Sequence, residues 1–245
     1  MIGMTSVTFR NKSAEEIIAL CKECFIECIE WGGDVHVPPG DFKNAERIGE
    51  LTRNAGMSVS SYGSYFKVGT DSLRDFENVL ETAKMLKAPV IRVWCGEKGS
   101  ENTDDETFGL YVEQLKTMCE LSKQESMIIA CEFHNKTYND TAKSALKLLK
   151  EVGCANFKTY WQTLCYNETD LVNLKELQEN IVNLHVFSWN KNGKRYPLKK
   201  KFKMWQNYIE ASRIIKANYI IEFVKNDSEK HFKKDVLTLK KLLDF

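Results

Sequence analysis

Two spacings of apolar residues alternate along this chain. Short apolar runs of four to seven residues suit buried parallel strands: Met4–Phe9, Cys28–Trp31, Met57–Tyr62, Val90–Trp94, Met127–Phe133, Phe157–Trp161, Ile181–Phe187 and Tyr219–Val224. Between them, apolar positions return every three or four residues, the spacing of amphipathic helices. The predicted helices begin after Ser13 and then cover Phe42–Ala55, Leu73–Leu86, a long segment to about Lys123, Thr141–Val152, Glu168–Gln178, Phe202–Ala217 and Glu229–Leu243. Ser13 with Glu16 three residues on forms a capping box, which fixes the first helix start. Gly32 to Gly40 reads as a loop from its glycines and prolines, and Lys87-Ala88-Pro89 ends the third helix. Eight strands and eight helices in strict alternation imply an α/β fold with a parallel sheet and right-handed crossovers. Eight units suggest closure into a (β/α)8 TIM barrel. The 245 residues match the length of one such barrel, so residues 1–245 are expected to form a single domain.

Composition narrows the function class. Thirty-five basic residues face 34 acidic ones, a formal net charge of +1, which gives no global attraction to nucleic acid. No run of 18 apolar residues suggests a membrane span, and the N-terminal Met1-Ile2-Gly3-Met4-Thr5 lacks a signal-peptide pattern, so a cytoplasmic protein is expected. Eight cysteines in a chain this long read as free thiols rather than a disulfide framework. Cys21, Cys24 and Cys28 fall at i, i+3 and i+7, as if on one face of the first helix. That spacing reads as small apolar packing; a Cys-rich metal or redox site would need a second pair to complete a tetrahedral set.

In a closed parallel barrel the C-terminal strand ends share one mouth, where the chemistry sits. Glu132, Gln162, His185 and Glu222 fall near the ends of strands five to eight. Each has an ordinary alternative: a structural ion pair for either glutamate, a satisfied core position for His185. Together they suggest convergence on one divalent metal. Two carboxylates, one imidazole and one amide oxygen neutralise a divalent cation and suit Mn²⁺, Mg²⁺, Co²⁺ or Zn²⁺. Such a site would polarise a carbonyl and steady an enediolate, with Glu132 and Glu222 taking and returning a proton. His134, two residues past Glu132, shares its strand face and is a candidate acid/base or hydroxyl-binding group. His36, Trp31, Tyr62, Trp94 and Trp161 are candidate substrate contacts, the aromatic rings stacking on a sugar; core or rim packing is the alternative for the rings. The basic run Lys191, Lys194, Arg195, Lys199, Lys200, Lys201 and Lys203 reads either as a solvated loop or as an anion-binding element, with Arg195 as its candidate residue.

Several segments resemble the xylose isomerase-like TIM barrels, the sugar phosphate isomerase/epimerase group. They are Val7-Thr8-Phe9-Arg10, Glu30-Trp31-Gly32-Gly33-Asp34-Val35-His36, Cys131-Glu132-Phe133-His134-Asn135, Tyr160-Trp161-Gln162, Asn183-Leu184-His185-Val186-Phe187 and Ile221-Glu222-Phe223-Val224. The resemblance implies a metal held by Glu132, His185 and Glu222, with gaps of 30, 23 and 37 residues through Gln162. Gln162 stands where that family carries Asp, which lowers the site's negative charge. The resemblance implies an isomerase or epimerase acting on a sugar, sugar phosphate or cyclitol by proton transfer through a metal-bound enediolate, with Glu132 and Glu222 on opposite faces of the substrate carbon. The alternatives are a hydro-lyase on an inositol-type ketone and, because of Gln162, a non-catalytic sugar-binding barrel. A nuclease of the endonuclease IV type would need more histidines than the four present. The expected partner is a small sugar-like molecule, with no nucleic acid and no membrane; pairing into a homodimer is compatible with the resemblance.

Overall fold

The computed structural model of the protein describes residues 1–244. Strands β1 (Ile2–Thr5), β2 (Cys28–Gly32), β3 (Ser58–Val68), β4 (Val90–Cys95), β5 (Ile128–Cys131), β6 (Phe157–Trp161), β7 (Ile181–Val186) and β8 (Asn218–Ile221) pair in parallel in chain order. β8 closes on β1, with Ile2 opposite Tyr219 and Met4 opposite Ile221. The helices α1 (Ala14–Glu23), α2 (Phe42–Asn54), α3 (Leu73–Leu86), α4 (Asp105–Lys123), α5 (Ala142–Val152), α6 (Glu168–Leu177), α7 (Phe202–Ser212) and α8 (Glu229–Leu243) alternate with the strands. This is the expected (β/α)8 barrel. The capping box forms as read: Ser13 accepts from the Glu16 N–H, and the Glu16 carboxylate accepts from the Ser13 N–H. Among the described residues no helix is long and apolar enough to cross a membrane.

The period-two pleat sorts each strand between the barrel interior and the helix layer. Along β4, Val90 and Arg92 turn inward, while Ile91 and Val93 join the large core under the helices. Val90, Ala130 and Tyr160 form a small separate cluster within the barrel. Room inside is tight: a Cβ on Gly3 would lie 2.6 Å from Ile220 and 2.7 Å from the Cys28 sulfur.

Several boundaries differ from the sequence reading. β1 stops at Thr5, and Ser6–Phe9 forms a 3-10 turn instead of continuing the strand. In that turn the Ser6 hydroxyl accepts from the Gly32 N–H and the Thr8 hydroxyl accepts from the Phe223 N–H, bonds a straight strand would forgo. β3 runs on to Val68, past the expected end at Tyr62, and its pairing with β4 shifts between Gly63 and Lys67. Cys28 lies not on a helix face with Cys21 and Cys24 but at the start of β2, because α1 ends at Glu23. All eight cysteines are free thiols, and burial pushes the Cys28 thiol up to about 12.

Candidate metal centre and active site

Glu132 and Glu222 directly follow β5 and β8, and the sheet ladder still fixes their backbones. The Glu132 N–H donates to the Val93 carbonyl at 2.9 Å, and the Glu222 N–H donates to the Val186 carbonyl at 3.0 Å. His185 sits within β7, fully buried. Its Nδ1 lies 3.6 Å from Glu132 Oε1 and 3.5 Å from Glu222 Oε2. One ligand-type atom from each of the three residues lies within 4.8 Å of the others. His185 Nδ1 makes no hydrogen bond. A buried nitrogen without a hydrogen-bond partner, beside two carboxylates, fits a divalent metal. Gln162 follows β6 and lines the same cavity as the two glutamates.

Beneath this triad lies a buried polar layer in which Glu30 was not anticipated as a functional residue. Glu30 is completely buried in β2. Its Oε1 faces His185 Nε2 at 3.2 Å and Arg92 Nε at 3.5 Å. Its Oε2 accepts from Tyr160 at 2.8 Å and Ser61 at 2.9 Å. Burial alone would raise the Glu30 carboxyl. The charge of Arg92, with the hydrogen bonds from His185 and Tyr160, outweighs it and holds the group well below the usual carboxylate range. Arg92 Nη1 also pairs with Glu132 Oε2, which further accepts from the Trp94 indole at 2.5 Å. Burial would weaken the Arg92 charge, but Glu30 and the surrounding oxygens reverse this and keep it protonated. Gly63 makes room for that guanidinium, since a Cβ there would stand 2.6 Å from Arg92 Nη2. Three carboxyl groups against one guanidinium leave the layer short of two positive charges, the charge of one divalent cation.

Above the triad opens a cavity of about 260 Å³. One wall is Tyr65, Trp94 and His134, with the Trp94 and His134 rings stacked at 5.2 Å and 17°. The other is Phe187, Trp189 and Phe223, in ring contact at 4.8 and 5.6 Å. Thr163, Leu164 and Tyr166 complete the rim. Their loop is shaped by the buried Asp170, which accepts from the Leu164, Cys165 and Tyr166 N–H groups and from the Thr163 hydroxyl. His134 Nδ1 lies 2.6 Å from the Asn135 carbonyl, so Nδ1 carries the proton and Nε2 keeps a lone pair. Burial pushes the His134 pKa down; the Asn135 carbonyl and Glu222 act against it. Tyr65 was missed because the strand was expected to end before it, and Arg92 because an arginine inside an apolar run gave no sign of which way it faces.

The proposed substrate contacts divide. Trp94 and His134 line the cavity, as do Glu132, Gln162 and Glu222. Trp31, Tyr62, Trp161 and His36 do not. Trp31 follows the inward-facing Glu30, and Trp161 lies between the inward-facing Tyr160 and Gln162, so by the pleat both point into the helix layer. Trp31 donates to Thr52 at 3.1 Å, and Trp161 packs against Trp205 and Tyr208. Tyr62 is buried and donates to the Val37 carbonyl at 2.8 Å. His36 bonds the Lys12 carbonyl at 3.1 Å and meets Trp31 edge to face. Arg195 pairs with Asp227, with its guanidinium 4.9 Å from the centre of the Phe223 ring. It lines an adjoining hollow of about 270 Å³ rather than the main cavity.

Comparison with known proteins agrees with this architecture. A curated 3-dehydroshikimate dehydratase of Bacillus anthracis is 27% identical over 167 residues, which span 64% of this chain and 59% of that protein. The crystal structure of the probable 3-DHS dehydratase from Bacillus anthracis involved in petrobactin synthesis superposes with a TM-score of 0.86 at 20% identity, covering 98% of both chains. D-allulose 3-epimerase from Methylomonas sp. shares the fold at a TM-score of 0.75 and 13% identity, covering 99% of this chain and 97% of that one. The profile of the xylose isomerase-like TIM barrel matches residues 18–227, and the chain belongs to that family.

Proposed function

We propose that this protein is a divalent-metal-dependent hydro-lyase that removes water from a small polyhydroxylated ring ketone of the 3-dehydroshikimate type. The observation that carries this reading is the inequality of the two cavity glutamates. Glu132 Oε2 is already engaged by Arg92 and the Trp94 indole, so this oxygen is not free to reach a substrate proton. Proton exchange between Glu132 and Glu222 on opposite faces of a substrate carbon, as the epimerase reading invokes, is therefore disfavoured. The neutral Nε2 of His134 on the aromatic wall is the better-placed proton acceptor. The 27% identical dehydratase supports the same reaction class.

Glu132, His185 and Glu222 would hold the metal, with Gln162 on the same wall. A bound divalent metal supplies Lewis acidity that makes the C–H beside a carbonyl more acidic. His134 Nε2 takes that proton and returns it to the departing hydroxyl, so one C–H and one C–O bond break, a C=C bond forms and water leaves. Arg92 lines the cavity floor, where its guanidinium holds Glu132 Oε2 in place. The two aromatic walls orient a flat ring and exclude water.

A second reading is a sugar isomerase or epimerase. Its support is the approach of Glu132 and Glu222 to the same imidazole nitrogen, together with the fold shared with the D-allulose enzyme. Incubation with 3-dehydroshikimate and Mn²⁺ separates the two. Loss of water yields an aromatic dihydroxybenzoate with a new near-ultraviolet absorbance, and His134→Asn should abolish it. No such product, with solvent deuterium entering ketohexoses instead, would transfer the assignment to the epimerase reading.

A further inference from the structure

We propose that Glu30 is a positioning residue for the metal-binding imidazole: it holds His185 as the Nε2–H tautomer, turned so that Nδ1 meets Glu132 and Glu222. This rests on the metal reading above and extends it to a residue outside the cavity.

The argument is directional. Asn218 Nδ2 donates to Asn183 Oδ1 at 2.8 Å, and Asn183 Nδ2 donates to the Tyr160 hydroxyl at 2.8 Å. With its oxygen accepting that bond, Tyr160 directs its own proton to Glu30 Oε2. Ser61, which lies 3.4 Å from Asn183 Nδ2, likewise donates to Glu30 Oε2. Arg92 brings only donors. Glu30 is thus an acceptor toward these neighbours, and the contact from His185 Nε2 at 3.2 Å must be a donated N–H. A neutral imidazole that donates from Nε2 keeps its lone pair on Nδ1, the nitrogen that lacks a hydrogen-bond partner between the two carboxylates.

The backbone is adapted to this contact. Strand pairing shifts register opposite Ile29/Glu30 and Thr159/Tyr160, where the neighbouring strands β3 and β7 each carry one extra residue, Ser60 and Val182, ahead of Ser61 and Asn183. Such irregularities re-aim side chains next to functional sites. The Tyr160 ring also meets the His185 ring edge-on at 5.2 Å and 79°, which limits rotation of the imidazole. A hydrogen-bonded carboxylate behind a ligating histidine fixes its tautomer and raises its basicity, and its loss typically weakens metal binding about 10–100-fold.

A merely structural role is the alternative: Glu30 could serve only to neutralise Arg92 at 3.5 Å. Two measurements distinguish the roles without reading turnover. The first is imidazole ¹⁵N NMR of the metal-free protein, which contains four histidines. Protonated Nε2 with bare Nδ1 at His185 is expected; protonated Nδ1 would overturn the proposal. The second is Mn²⁺ calorimetry on wild type, Glu30→Gln and Tyr160→Phe. Glu30→Gln should bind about 10–100-fold more weakly and Tyr160→Phe should show a smaller loss. Wild-type affinity in folded Glu30→Gln would also overturn it. Should Glu30→Gln fail to fold, the native tautomer and Tyr160→Phe decide. Absence of Mn²⁺ binding by wild type would refute the metal reading itself, and the tautomer measurement would still judge Glu30.

Discussion

Asp235 on α8 offers a quantitative test of the packing behind the cavity mouth. It is 4% exposed, and its Oδ1 accepts a hydrogen bond from the Leu198 N–H at 2.8 Å. Burial pushes its carboxyl from the ordinary 3.8 up to about 6, against the pull of that N–H. Between these values the folded protein holds a proton that the unfolded chain has lost, so stability falls as pH rises through the interval. Above it the full cost of a buried charge is present, about 3 kcal/mol for this difference. Asp235→Asn removes the charge and keeps an oxygen for Leu198. The variant should be up to about 3 kcal/mol more stable near neutral pH, roughly 6–12 °C in Tm for a chain of this size. At about pH 4 and below, where Asp235 is protonated when folded, the gain should vanish. Urea denaturation of both proteins across this range provides the assay. A variant equally stabilised at every pH, or destabilised at neutral pH, would refute the reasoning.

Two further substitutions test the division of residues between core and site. Trp161→Ala empties a fully buried position against Trp205 and Tyr208 and should cost about 3–5 kcal/mol while the folded fraction keeps its turnover. Trp94→Phe removes the indole N–H on Glu132 and should lower kcat with a smaller stability loss; the reverse pattern in denaturation and steady-state kinetics would contradict the assignment. Asp170→Ala frees the three N–H groups that shape residues 163–166, so limited proteolysis should cut that loop faster and KM should rise. Unchanged cleavage would show that the loop holds its shape without this carboxylate.

The barrel was legible because its strands are buried on both faces and read as apolar runs between capped amphipathic helices. β6 and α8 match the sequence reading at both ends, although Phe157–Trp161 is short and contains Lys158 and Thr159. Glu132, His185 and Glu222 were visible as ionisable groups at the ends of such runs, and all three meet. Strand parity was the information left unused. Trp161 and Gln162 are adjacent, so they cannot face the same side of β6; the same holds for Glu30 and Trp31 on β2. Applied strictly, parity would have removed Trp31 and Trp161 from the cavity and turned Glu30 inward. Tyr65 and the aromatic wall from Phe187 to Phe223 were less accessible. Their placement depends on a register shift in β3 and on loop geometry, with Tyr65 and Phe223 at φ of 60° and 45°. No periodicity in the sequence encodes those features.

The central claim is a metal centre between β5, β7 and β8. The most direct test is metal content of the protein purified without chelator, with a thermal-shift titration by Mn²⁺ of wild type and Glu222→Ala. A ligand that binds only the folded state stabilises by mass action, about 2.7 kcal/mol at one hundred times its dissociation constant. The account predicts close to one divalent metal per wild-type chain and a rising midpoint, with both lost in Glu222→Ala. Folded wild type that carries no metal and shows no shift at about millimolar Mn²⁺ would contradict it.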